Sequence, residues 1–352
     1  MAMPFVSHTG SFVSGRETKG ILCHPAGWPA KGSRQKGKKI MMNQAQLSLL
    51  GRLSKPTGRI DVVLDTDTYN EVDDQFALSY LLCLAEGKDA KLCLRAICAA
   101  PFHNGKSQGP EDGMEKSFQE IHHILELTQK QKYAELVYRG SRSWMKDENT
   151  PVHSEAAEKL AELAMEYSPE SPLYVVAIGA ITNVASALLL EPRITDRIVV
   201  VWLGGNAHEW PDNREFNCQQ DVAAARVVFG SGAAVVQLPC SGVVSSCSTS
   251  AGELEMFLRG KNKLCDYLVD IVERDGAAES PYRSWTRVIW DVTAVAWLLE
   301  EEFMKDRLVP SPIPQYDHHY SFDPDRHFIR YVYYVNRDAL FEDVFRRLSS
   351  AL

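Results

Sequence analysis

The 352-residue chain contains no apolar run of the roughly 18 residues that a membrane-crossing helix requires, so no membrane partner is expected. It also lacks, near its start, the apolar core of roughly 7 to 15 residues that a secretory signal uses. Close cysteine pairs are missing. The eight cysteines (Cys23, Cys83, Cys93, Cys98, Cys218, Cys240, Cys247 and Cys265) include no C-x-x-C pair and no neighbouring histidine pair of the kind zinc selects. They read as reduced thiols, and a reducing, cytoplasmic location is expected. Positive charge is in deficit, with 38 Lys and Arg against 46 Asp and Glu, a net of −8. Such a balance gives no hold on a phosphate backbone, so no nucleic-acid partner is expected. What is present is ordinary globular composition, 45% hydrophobic and 24% charged, which excludes wholesale disorder and a collagen-like repeat.

The first forty residues stand apart. They hold seven Lys or Arg against the single acid Glu17, with Gly and Pro recurring and no apolar residue at helix or strand spacing. A disordered basic tail is expected over 1–40, because such a stretch cannot bury enough apolar surface to offset its ordering entropy. No repeat and no linker interrupts the rest, so 41–352 reads as a single domain.

From residue 60 onward, strand and helix patterns alternate. Strands are expected over 60–64, 92–99, 135–138, 173–178, 198–203, 234–238 and 328–335. Helices are expected from residue 74 and over 111–128, 154–167, 182–190, 221–229 and 340–348, with 250–300 largely helical. Continuous Val and Ile runs between helices are what a mostly parallel sheet covered on both faces demands. The expected class is therefore α/β: an open, Rossmann-like, doubly wound sheet with helices on both faces. In such sheets ligands gather beyond the carboxyl ends of the strands.

At the first of those ends lies Asp65-Thr66-Asp67-Thr68-Tyr69-Asn70-Glu71-Val72-Asp73-Asp74. Five acids this close repel one another unless a cation sits among them. Oxygen ligands without His or Cys point to a hard ion, Ca²⁺ or Mg²⁺. A helix N-cap accounts for one or two of these acids, but not for Asp65 and Asp67 on the strand side. Two enzyme chemistries fit. An aspartate there could accept a phosphoryl group, as in haloacid-dehalogenase-like phosphatases, although Tyr69 replaces the Thr or Val of that signature. Alternatively, the acids hold Ca²⁺ and a water that cleaves an N-glycosidic bond.

Further matches favour the second. The chain resembles the inosine-uridine-type nucleoside hydrolases, whose hallmark is a strand followed by Asp-x-Asp-x-x-x-Asp-Asp; here Asp67 and Asp73 are two residues further apart. The segment from Ala177 to Asn183 is similar to the family's Gly-Pro-Leu-Thr-Asn, with Ala180 in place of Pro. Leu203-Gly204-Gly205, Glu215-Phe216-Asn217 with Asp221 and Ala223-Ala224, and Trp290-Asp291 follow in family order. The resemblance implies Ca²⁺ held by Asp67, Asp74, Asp291 and the backbone carbonyl of Thr182. It makes Asp67 the catalytic base, and Asp73, Asn104, Glu215 and Asn217 the grip on ribose hydroxyls. Asp65 would orient Asp67 from behind, and Trp290 would meet the substrate. The implied activity is calcium-dependent hydrolysis of a ribonucleoside or related small N-ribosyl compound, by a homo-dimer or homo-tetramer. Trp290 stands where the family has a histidine that helps the base depart, and indole cannot act as an acid. Either His103, His208 or Tyr69 assists, or the base stacks on an aromatic face, or the leaving group differs from a nucleobase. A protein that binds metal and ribose without turnover is the remaining alternative.

Overall fold

In the computed structural model, residues 43–86, 90–299 and 303–350 are described. The expected basic tail over 1–40 lies outside them. Met42–Leu352 form one compact unit.

Eight strands make the central sheet: β1 (Ile60–Thr66), β2 (Leu92–Ala99), β3 (Val137–Arg139), β4 (Leu173–Ala177), β5 (Ile198–Leu203), β6 (Ala234–Leu238), and, after two short strands elsewhere, β9 (Met304–Pro310) and β12 (Phe328–Val335). Their order is β3-β2-β1-β4-β5-β6-β12-β9. All neighbours pair in parallel except β9, which runs antiparallel to β12. Every residue of β4, β5 and β6 is buried, the signature of strands covered on both faces. The covering helices are α1 (Gln44–Arg52), α2 (Asp74–Leu84), α3 (Pro110–Leu127), α4 (Glu155–Ala164), α5 (Thr182–Leu190), α6 (Phe216–Gln220), α7 (Val222–Gly230), α8 (Ala251–Phe257), α9 (Lys263–Glu279), α10 (Val292–Trp297) and α11 (Arg337–Ser349). Two apolar clusters result, one holding Leu64, Phe76, Ile97, Val201 and Trp297, the other Val63, Val175, Val200, Trp202 and Phe229. Adjacent β-residues such as Val62 and Val63 fall into different clusters because successive side chains point to opposite faces.

The doubly wound class is thus observed. The 250–300 stretch departs from the expected helical run: β8 (Thr286–Val288) interrupts it and pairs with β7 (Ser248–Ser250). The first predicted short strand shifts to Val137–Arg139, after a 3₁₀ turn at Gln131–Leu136. β9 and the small β10–β11 ladder (Ile313–Pro314 with Tyr320–Ser321) had no sequence expectation. Strand order reverses between β1 and β4, which opens a crevice where parallel sheets accept ligands.

Candidate active site

A cavity of about 200 Å³ occupies that crevice, lined by residues from five separate segments. The loop after β1 supplies Asp67, Asn70, Glu71, Asp73 and Asp74. Ile178 follows β4; Leu203 ends β5, and Asn206, Arg214, Glu215, Phe216 and Asn217 follow it; Cys240 and Ser241 follow β6; Trp290 and Asp291 precede α10.

Carboxylate oxygens of Asp73, Asp74 and Asp291 lie within 4.8 Å of one another, and all three side chains are buried. Asp73 and Asp291 occupy the N-cap positions of α2 and α10, yet neither side chain caps its helix. The capping alternative is therefore excluded for both, and the carboxylates turn toward each other. Two helix N-termini aim their positive ends at the same place, which partly offsets the repulsion. Asp73 Oδ2 accepts from the Trp290 backbone N–H at 3.1 Å, and Asp74 Oδ1 accepts from the Thr66 hydroxyl. Both oxygens of Asp67 are buried without a hydrogen-bond partner. Gly179 makes room for that carboxylate, since a Cβ there would lie 3.0 Å from Asp67 Cγ. Burial first, then the neighbouring charges, drives Asp67 and Asp74 well above the usual carboxylate range, and Asp291 rises for the same reasons. Burial raises Asp73 as well, against the pull of Arg287. A buried carboxylate with two unpartnered oxygens is costly unless something positive satisfies it. An all-oxygen set of this kind fits a hard divalent cation.

Asp65 lies behind this group. Its Oδ1 accepts from Asn183 Nδ2 at 2.8 Å while Oδ2 has no partner, and burial pushes its carboxyl up to about 7. It does not line the cavity. Glu215 lines it but is occupied by the backbone: Oε2 accepts from Gly205 N (2.7 Å) and Cys218 N (2.9 Å), and Oε1 from Asn217 N (2.9 Å). Gly205 holds φ +75°, where a side chain would be strained. Asn217 Nδ2 donates to the carbonyls of Ile178 and Leu203, tying the β4 and β5 ends together.

Of the residues implied by resemblance, the structure brings Asp67, Asp73, Asp74, Glu215, Asn217, Trp290 and Asp291 to one cavity. Asn104 is one residue removed, its side-chain amide donating to Asn70 Oδ1 at 2.7 Å, and Asn70 takes its place on the wall. Thr182 is not on the wall. It opens α5, and its hydroxyl donates to Asp221 Oδ2 at 2.8 Å; Ile178, at the end of β4, lines the cavity instead. None of the three proton-donor candidates reaches it. His103 is exposed with its ring beside Ser107 Oγ at 3.3 Å. His208 bonds Gln237 among Tyr320, Phe322 and Tyr331. Tyr69 is 42% exposed. Sequence reasoning missed Asn70, Ile178, Asn206, Arg214, Cys240 and Ser241 as wall residues. Applying the strand-end rule to β6 would have found Cys240 and Ser241.

A doubly wound sheet with a buried acidic cluster at its switch point places that cluster where α/β proteins of this class accept their ligands. The sequence model described as inosine-uridine preferring nucleoside hydrolase matches residues 62–319. The chain belongs to that family. Among curated relatives, the inosine-uridine preferring nucleoside hydrolase of Leishmania major is 27% identical over 161 residues, 45% of this chain and 51% of that protein. The match therefore spans about half of that relative's length. The solved purine-preferring ribonucleoside hydrolase from Gardnerella vaginalis superposes with a TM-score of 0.67 at 19% identity, covering 83% of this chain and 98% of that one. The type III effector XopQ, solved with adenosine diphosphate ribose, gives 0.60 at 15%, covering 88% and 100%. Both share this fold. Among the described residues no helix is long and apolar enough to cross a membrane, and the seven described cysteines are free thiols.

Proposed function

We propose that this protein is a calcium-dependent N-ribosyl hydrolase that cleaves the N-glycosidic bond of a ribonucleoside or related small N-ribosyl compound, giving ribose and the free leaving group. The observation that carries this reading is Asp67: a buried carboxylate with both oxygens unpartnered, beside the mutually close Asp73, Asp74 and Asp291. Asp67, Asp74 and Asp291 would hold Ca²⁺. Bound there, the ion would acidify a water and orient two sugar hydroxyls.

Asp67 takes the proton of the attacking water. The surrounding carboxylates stabilise positive charge as it develops on the sugar ring. Asp73, held by the Trp290 backbone N–H and hydrogen-bonded to Asp291, would accept from a ribose hydroxyl. Asn217 and Glu215 line the same cavity; Asn104 acts through Asn70. Such a grip rejects a deoxy sugar, which would leave a buried acceptor unpaired. The cavity suits a small molecule, not a polymer. The test is ribose release from a panel of ribonucleosides with calcium or with chelator, alongside Asp67→Asn. Calcium-dependent release that the variant loses is expected; full turnover in chelator, or in the variant, defeats the reading.

A further inference from the structure

The cavity wall carries an unusual restriction. Among the described residues that line it, none is His, Lys or Tyr. The remaining candidates for a proton donor do not serve. Arg214 is a guanidinium, a hydrogen-bond donor and not an acid catalyst. Glu215 accepts three backbone N–H bonds, which hold it as an acceptor, and Glu71 is paired with Arg287 at 2.6 Å. Asp67, Asp73, Asp74 and Asp291 belong to the cation cluster. A neutral nucleoside whose base departs with the bonding pair becomes an anion and needs a proton at that moment. The Cys240 thiol also lines the wall, but burial and then Glu215 push it well above its ordinary value, so it holds its proton and the wall offers no ready acid.

It offers instead an acidic, aromatic surface. Six carboxylates line it with one base, the exposed Arg214, while Arg287 pairs with Glu71 from outside the lining. Trp290 is half-buried and its main chain is fixed: the backbone N–H donates to Asp73 and the backbone carbonyl accepts from the Thr293 hydroxyl at 2.7 Å. Phe216 supplies a second ring. Carboxylates with an indole face are the recognised means of holding an organic cation.

From these two observations we propose that the preferred substrate is a cationic N-riboside, in which the ring nitrogen bonded to the sugar carries formal positive charge, as in a pyridinium riboside. This rests on the hydrolase reading above and specifies its leaving group. The balance closes without an acid. The bond from C1′ to the ring nitrogen breaks, its electron pair cancels the ring's positive charge, and a neutral heterocycle departs. The water oxygen bonds C1′, and its proton passes to Asp67. Trp290 is then a specificity-determining residue that holds the cationic ring.

The experiment compares the holoenzyme on 3-carbamoylpyridinium riboside, on its neutral 1,4-dihydropyridine counterpart of nearly the same shape, and on inosine and uridine. A kcat/KM at least about tenfold higher for the pyridinium compound is expected, with the dihydro compound inert. Trp290→Leu should raise KM for the pyridinium substrate by about tenfold, and Trp290→Phe should restore most of it. A second readout needs no turnover. Wild-type protein mixed with 1-methyl-3-carbamoylpyridinium, which has no glycosidic bond, should develop a long-wavelength charge-transfer absorbance that Trp290→Leu lacks. Inosine or uridine cleaved as fast as the pyridinium riboside would overturn this inference while leaving the hydrolase reading intact. Ribose release from none of the four would overturn both.

Discussion

Replacing Asp65 by Asn should make the protein more stable, and increasingly so as pH rises. Asp65 is buried at the end of β1 with one oxygen bonded to Asn183 and the other unpartnered. Burial lifts its carboxyl from 3.8 to about 7 in the folded state. Between those values the folded protein binds more protons than the unfolded chain, so stability falls as pH rises through this window and levels off above it. Ionised at pH 8, the group costs about 4 kcal/mol relative to an uncharged one, and at pH 4 less than about 1 kcal/mol. An asparagine keeps an oxygen toward Asn183 and never ionises. Any cost of its unpartnered NH₂ resembles that of the protonated acid and largely cancels from the pH dependence. The stability gap between Asp65→Asn and wild type should therefore widen by about 4 kcal/mol from pH 4 to pH 8. Urea denaturation of both proteins across that range, with chelator present throughout, measures it. A gap that does not change with pH, or one that narrows, refutes the argument that Asp65 carries an uncompensated desolvation cost.

Three other outcomes follow from the same geometry. Calcium at about a hundred times its dissociation constant should stabilise the wild-type fold by about 2.7 kcal/mol, and Asp74→Ala should abolish that response in thermal melts; an undiminished calcium shift in the variant argues against the cluster as ligand. Gly179→Ala places a methyl 3.0 Å from Asp67 Cγ, and should lower kcat about a hundredfold by displacing the base while leaving the melting temperature nearly unchanged; unaltered kcat contradicts the placement. Glu215→Gln cannot accept at both oxygens, so one or two of the three loop N–H groups lose their partner, at about 1 to 3 kcal/mol; urea midpoints equal to wild type would show that those bonds do not fix the β5 loop.

The parallel core was legible because it obeys one simple demand. Strands such as Leu173–Ala177 and Ile198–Leu203 are buried on both faces and therefore read as unbroken apolar runs. β9 escaped for the opposite reason: Met304–Pro310 is an edge strand carrying Lys305, Asp306 and Arg307, half solvated and without a pattern to see. Likewise β7 and β8 are three residues each, shorter than any periodicity. In the site, the acids of the β1 loop were visible because five carboxylates in ten residues have few other uses. The exchange of Thr182 for Ile178 on the wall was not visible, since whatever a backbone carbonyl does leaves no mark on residue type. Nor could sequence tell that His103 and His208 sit on the right loops yet face elsewhere, because that depends on side-chain partners such as Ser107 and Gln237.

The bond between Asp73 and the Trp290 backbone spans 217 positions of the chain. A ribosome adding about 5 to 20 residues each second leaves the amino-terminal acids waiting on the order of tens of seconds for Asp291. A polypeptide arrested between Leu238 and Asp291 owns β1 through β6 but only part of the acidic cluster. Under the calcium reading, tight retention of a divalent cation would thus require Asp291 to have been made, and shorter nascent chains would be kept silent.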